Sequence, residues 1–192
     1  MAKLYFRYSA MNAGKTTQLI QVKHNYEERG QTVLVLKPAV DKRESSSLIR
    51  SRIGIECCTT IFDDKADILD LIKEQKKDKK IDCILIDEAQ FMTRKQVLEL
   101  CSAIDELNIP CIAYGLRTDF RGELFPGSQA LLSFADSIEE LKTICWCGKK
   151  AIMNTRIHDG KAVYEGEQVK IGGNESYISL CRKHWKEGRI KP

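Results

Sequence analysis

Ser9-Ala-Met-Asn-Ala-Gly14-Lys15-Thr16 is the stretch that decides the fold. It fits the phosphate-loop pattern G-x-x-x-x-G-K-[ST] at every fixed position but the first, where Ser9 stands in place of glycine. The chemistry explains the residue types. In such a loop the backbone N–H groups, here from Ser9 through Ala10, Met11, Asn12 and Ala13 to Gly14, curl around a β-phosphate. The N-terminus of the helix that follows adds the positive end of its dipole. Gly14 admits the phosphate close to the backbone, the Lys15 ammonium reaches the β- and γ-phosphates, and the Thr16 hydroxyl is a ligand for the Mg²⁺ that accompanies ATP. Lys3–Tyr8 reads as a strand and Lys15–Arg29 as a helix with Leu19, Val22 and Tyr26 on one face, the context that the motif needs.

Further along the chain the pattern repeats. Gly30 is a natural helix C-cap, and Thr32–Leu36 is a short β-branched run of the kind found in buried parallel strands. Ala66–Lys76 has helical spacing at Ile68, Leu69 and Ile72, and Cys83–Ile86 is a second buried strand. Thr93, with Gln96 three residues on, predicts a capping box for a helix carrying Val97, Leu100, Cys101 and Ile104; Pro110–Tyr114 is a further strand. Strands alternating with helices predict an α/β fold, a P-loop NTPase-like (RecA-like) parallel sheet flanked by helices. The strand Cys83–Ile86 runs into Asp87 and Glu88 about 70 residues after the loop. In this class a strand-end aspartate serves Mg²⁺, directly or through water, and a neighbouring acid acts as base. After about Leu141 short alternating segments and glycines replace the α/β pattern. The expected division is residues 1–141 as the ATP-binding domain and 142–192 as a small zinc-ribbon-like domain.

Composition sets bounds on function. Hydrophobic residues make up 43% of the 192 and charged residues 30%, enough apolar material for a core. No apolar run approaches the ~20 residues of a membrane span, and Met1–Ala10 lacks a signal peptide's apolar stretch, so a cytoplasmic protein with no membrane partner is expected. The net charge of +4 is mild, and its basic runs, Lys73–Lys80 and Arg182–Lys191, read as solvated faces; no nucleic-acid partner is expected. Cys57, Cys58, Cys83, Cys101 and Cys111 sit among apolar residues and are expected to behave as small hydrophobes. Cys145, Cys147, Cys181 and His184 lie in loop-like sequence and supply three thiolates and an imidazole, a normal set for a closed, structural Zn²⁺ site. The one-residue gap between Cys145 and Cys147 departs from the usual two. His24 and His158 read as surface residues without partners.

Three stretches carry a family resemblance: SAMNAGKTT from Ser9, Asp87-Glu88-Ala89-Gln90-Phe91, and Ile171-Gly172-Gly173-Asn174-Glu175-Ser176-Tyr177 followed by Cys181 and His184. Together they resemble the thymidine kinases of the cytosolic, zinc-containing type, over nearly the whole chain. The resemblance implies transfer of the γ-phosphate of ATP to the 5′-hydroxyl of thymidine. It implies Glu88 as the catalytic base, Asp87 for Mg²⁺ and Gln90 as a further residue of the same motif. It also implies a nucleoside-covering loop at Leu116–Phe125. Phe91, Leu116, Phe120 and Phe125 are then the apolar pocket candidates, with Met11 beside the phosphate loop and Ile171, Gly172 and Tyr177 on the other side. Asp41 and Arg43 look like part of a loop over the phosphates. A homotetramer and feedback inhibition by dTTP are implied as well. A nucleic-acid-dependent ATPase and a kinase of another nucleoside are the alternatives.

Overall fold

The computed structural model describes residues 1–39, 47–168 and 177–192. The positions of Asp41, Arg43, Ile171 and Gly172 lie outside the described residues. In chain order the elements are β1 (Leu4–Ser9), α1 (Lys15–Glu27), β2 (Val33–Pro38), β3 (Leu48–Arg50), β4 (Glu56–Cys58), β5 (Thr60–Phe62), α2 (Ile68–Asp78) and β6 (Cys83–Ile86). A 3₁₀ turn (Ala89–Phe91), α3 (Arg94–Leu107), β7 (Cys111–Leu116), α4 (Pro126–Phe134) and β8 (Ser137–Glu140) follow. The chain ends with β9 (Thr143–Ile144), β10 (Lys150–Ala151), β11 (Met153–His158), β12 (Lys161–Val163), β13 (Tyr177–Leu180) and α5 (Arg182–Lys186).

The main sheet has six strands in the order β5-β2-β6-β7-β1-β8, and all of its pairings are parallel. One strand, β7, separates β1, which leads into the phosphate loop, from β6, which ends in the carboxylates. This is the P-loop NTPase-like (RecA-like) arrangement. The two inner strands Val33–Pro38 and Cys83–Ile86 are buried almost throughout rather than alternating, because helices cover both faces. On one face Leu36, Ile84 and Ile86 pack with Ile72 of α2, Val97 and Leu100 of α3 and Leu131 of α4. On the other, Val33, Val35, Cys83, Leu85 and Tyr114 meet Leu19 of α1. The carboxyl ends of all the strands lie along one edge, so the segments after β1, β6 and β7 are brought together there.

The expected helix starts are present. Thr93 and Gln96 form the capping box of α3, side chain to backbone in both directions. Helix α4 escaped the periodicity reading. It begins Pro-Gly-Ser, and that start has no propensity signal beyond proline at the first helical position. Gly127 there is required by close approach: a Cβ would lie 2.5 Å from the carbonyl oxygen of Ala89 and 2.8 Å from that of Gln90. The cysteine expectation needs one correction. Cys83 and Cys111 are fully buried and Cys57 and Cys101 partly so, but Cys58 is exposed. It lies at the end of β4, a two-sided strand, where alternation turns one of two adjacent side chains outward. His24 and His158 are exposed, and each has a carboxylate neighbour, Glu28 at 3.3 Å and Asp159 at 3.5 Å.

The C-terminal part is antiparallel. β9 pairs with β10, and β11 lies between β12 and β13. A small apolar cluster of Ala151, Leu180, Cys145 and Cys181, flanked by Trp146 and Trp185, stands in for a larger core.

Candidate active site

The phosphate loop is a backbone cradle. Asn12 (φ 62) and Gly14 (φ 78) adopt left-handed conformations on either side of Ala13, the alternation that turns successive N–H groups to one side. Asparagine tolerates this geometry, and at Gly14 there is no Cβ to oppose it. No side chain caps the N-terminus of α1, so its first N–H groups and its dipole are left for a ligand. Lys15 is buried, and its Nζ donates to Ser9 Oγ at 2.9 Å and to the Ala10 carbonyl at 3.2 Å. Ser9 thus has a use in place of glycine: its hydroxyl donates to the Ala10 carbonyl and accepts from the lysine. Burial pushes the Lys15 ammonium below its ordinary pKa, while Glu88 and Asp87 pull it back up and Arg52 adds to the depression.

Strand β6 delivers the carboxylates to the same edge. The Thr16 hydroxyl donates to Asp87 Oδ2 at 3.1 Å, and the Glu88 N–H donates to Oδ1 at 3.0 Å. Burial first and the Glu88 charge second push Asp87 up to about 6, against the opposing bonds from Thr16 and the Glu88 N–H and the Lys15 charge. Glu88 has φ 51 and ψ 36, a left-handed conformation for a residue with a full side chain. Such strain persists only where the surroundings enforce it. Here Gln90 is one enforcing group. Its Nε2 donates to Glu88 Oε2 at 2.6 Å, and its Oε1 accepts the Leu116 N–H at 3.0 Å. Gln90 is itself 1% exposed, held in the 3₁₀ turn against Gly127.

The apolar candidates fall into three groups. Phe91 and Phe125 meet edge to face with ring centres 5.6 Å apart, and the Leu116 carbonyl accepts from the Oγ of Ser128 in α4, the helix that Phe125 precedes. Met11 is held through its backbone from β11 and β13: its N–H donates to Asn154 Oδ1 at 2.8 Å, and its carbonyl accepts from Ser179 Oγ at 2.6 Å. Asn154 also donates to the Thr118 carbonyl at 2.8 Å, so one buried amide joins the phosphate loop to the 116–125 segment. Phe120 and Tyr177 come together through Arg156, and the indole N–H of Trp185 donates to the Phe120 carbonyl at 3.0 Å. Sequence reasoning missed Asn154, Arg156 and Ser179. Their only signal is that polar residues occupy strands flanked by the Cys/His group, which a single sequence does not separate from solvent-facing positions.

The carboxyl edge of the sheet thus brings together a left-handed backbone loop, a buried lysine and two adjacent carboxylates. The thymidine kinase family profile matches residues 2–185. The chain belongs to the thymidine kinase family. A thymidine kinase of Legionella pneumophila subsp. pneumophila (strain Philadelphia 1) is 57% identical over 193 residues, covering 100% of this chain and 92% of that protein. One from Yersinia pseudotuberculosis is 53% identical over 188 residues, 97% of this chain and 96% of the other. One from Lactiplantibacillus plantarum is 53% identical over 187 residues, 96% of each. As a member of the thymidine kinase family the protein is a kinase, an enzyme with a P-loop.

This family member also carries a group fit for a metal ion. The ligand atoms of Cys145, Cys147, Cys181 and His184 all lie within 4.8 Å of one another. Cys147 Sγ is 3.9 Å from Cys181 Sγ, and Cys145 Sγ is 3.4 Å from His184 Nδ1. Two sulfurs each ~2.3 Å from a tetrahedral zinc would be roughly 3.8 Å apart, close to the Cys147–Cys181 separation, so the group could hold a metal ion and is consistent with Zn²⁺. The one-residue gap is bridged by a tight turn in which the Gly148 N–H donates to the Cys145 carbonyl at 2.9 Å. Trp146, the residue in the gap, stacks on the His184 ring at 4.1 Å and 9°.

Proposed function

We propose that the protein is a cytoplasmic ATP:thymidine 5′-phosphotransferase, forming dTMP and ADP. The observation that supports the reading best is a continuous hydrogen-bonded path. It runs from Thr16 through Asp87 and the Glu88 backbone to the Glu88 side chain, and on through Gln90 to Leu116, and so links the phosphate loop to the 116–125 segment. A phosphoryl donor at one end and a nucleoside at the other would meet at Glu88.

In this reading ATP lies on Ser9–Thr16, with Lys15 against the β- and γ-phosphates. Thr16 and Asp87 are hard oxygen donors beside the loop and would hold Mg²⁺, which supplies charge neutralisation on the phosphates when bound. Glu88 takes the proton of the 5′-hydroxyl as that oxygen attacks the γ-phosphorus in line, and the bond to the β-phosphate oxygen breaks to release ADP. Gln90, bonded to Glu88, keeps the carboxylate turned toward the hydroxyl. Met11, Phe91, Leu116, Phe120, Phe125 and Tyr177, with Ile171 and Gly172, would hold the nucleoside. Zn²⁺ on Cys145, Cys147, Cys181 and His184 has four protein ligands and no open position, a structural role. Residues 142–192 would form the unit it tethers. A homotetramer and inhibition by dTTP, seated in the nucleoside site with its phosphates toward the loop, complete the reading on the family resemblance alone.

The test is phosphorylation of each nucleoside by ATP and Mg²⁺, with the parent beside Glu88→Gln. Thymidine should be converted by the parent, and the variant should lose roughly 10²–10⁴-fold in kcat while still binding ATP. A parent that leaves thymidine untouched refutes the acceptor, and a variant with parental kcat refutes the base.

A further inference from the structure

Arg156 sits in β11, buried although its guanidinium is charged at every accessible pH. Its Cζ stands 3.7 Å from the centre of the Phe120 ring and 5.4 Å from that of Tyr177. Its Nε donates to the Tyr177 hydroxyl at 2.8 Å, and an Nη donates to the Gln168 carbonyl at 3.4 Å. The Gln168 amide reaches Asp119 Oδ2 at 3.2 Å, next to Phe120 in the chain. A buried cation is costly unless its surroundings satisfy it. Here a ring face and directed acceptors do so, and both uses depend on the planar fork that distinguishes arginine from lysine.

Phe120 and Tyr177 belong to distant segments, the one after β7 and β13 itself. The Phe120 backbone is anchored separately by Trp185, and against its ring the Arg156 guanidinium, at 3.7 Å, lies closer than that of Arg121, at 5.8 Å. Among the described residues the hydrogen bonds of Arg156 go to Tyr177 and Gln168, not to Lys15, Asp87 or Glu88.

We propose that Arg156 is a positioning residue for the nucleoside. It sets the Phe120 and Tyr177 rings at a fixed spacing and so shapes the wall against which a pyrimidine ring packs. This rests on the reading that those rings line the thymidine pocket. Arg156 acts on nucleoside binding and leaves the handling of ATP alone.

The experiment is steady-state kinetics of the full-length, zinc-loaded protein, Arg156→Met and Arg156→Lys, with thymidine and ATP varied separately. Methionine keeps the length and suits a buried place; lysine keeps the charge and guards against failure to fold. Both should raise KM for thymidine roughly tenfold, with KM for ATP within about twofold of the parent: methionine removes the cation–ring contact and both hydrogen bonds, and lysine, without the planar fork, does not stack on Phe120 while bonding Tyr177 and Gln168. Failure of lysine to rescue distinguishes a planar positioning group from a charge. The proposal is overturned if a folded variant keeps the parental KM for thymidine, if both KM values rise together, or if lysine restores the parent. A parent that does not phosphorylate thymidine overturns the functional reading first, and this inference with it, before any variant is compared.

Discussion

Asp87→Asn should make the ligand-free protein more stable at neutral and alkaline pH. Asp87 is 3% exposed and next to Glu88, and its carboxyl is pushed up to about 6 from an ordinary 3.8. A raised carboxyl pKa means that the folded state binds its proton more tightly than the unfolded chain. The contribution is therefore complete below pH 3.8 and is lost as pH rises through about 6. About two pKa units at ~1.4 kcal/mol each put the loss near 3 kcal/mol by pH 8. Asparagine removes the titration and keeps an oxygen to accept from the Glu88 N–H. For a chain of this size each kcal/mol moves Tm by roughly 2–4 °C, so the variant should melt up to ~10 °C above the parent at pH 8. The assay is thermal unfolding of both proteins from pH 4.5 to 8.5 without nucleotide. The gap should narrow steadily on the acid side, because the parent regains its proton there. Equal melting at pH 8, or a gap that does not depend on pH, would refute the argument that Asp87 is held ionised against the fold. If the same carboxylate serves Mg²⁺, adding ATP with Mg²⁺ should raise the Tm of the parent well above that of the variant and reverse the order.

Two further outcomes follow from the geometry. Ser9→Ala removes the hydroxyl that accepts from Lys15, leaving the ammonium one acceptor fewer in the empty loop. ATP should then bind a few-fold more tightly by calorimetry, as one charge-assisted hydrogen bond no longer competes, and a weaker Kd would show that the hydroxyl assists the bound state instead. Elemental analysis of carefully prepared protein should give about one zinc per chain, and Cys181→Ser should lower both zinc content and Tm, because a closed four-ligand site contributes directly to folding. Zinc-free protein with parental Tm would remove the site.

What the sequence made legible is what local chemistry dictates. Thr16 and Asp87 are 71 residues apart, but Asp87 directly follows the buried strand Cys83–Ile86, and Thr16 opens the helix reached by the loop that leaves Leu4–Ser9, strands whose burial is plain in their own residues. Parallel strands with right-handed crossovers leave those ends on one edge, so pattern alone brings the two groups near each other. The same holds for the capping box of α3, whose partners are three residues apart. Helix α4 was not legible because its start is chosen by tertiary contact. Gly127 is there since three carbonyls of the 89–92 segment leave no space for a Cβ, and that costs the helix its propensity signal.

The C-terminal part hid its meaning for a related reason. In β11 the polar residues Asn154, Thr155 and Arg156 are buried in succession, whereas alternation of polar and apolar residues is what announces a half-buried strand. Buried polar groups are normally hydrogen-bonded, and in this run Asn154 and Arg156 are while the Thr155 hydroxyl is not; the partners of Asn154 are the backbones of Met11 and Thr118, 143 and 36 residues away. No local rule points to contacts that distant. What the buried Asn154 holds in place is the phosphate loop, through Met11, and the segment that follows β7, through Thr118.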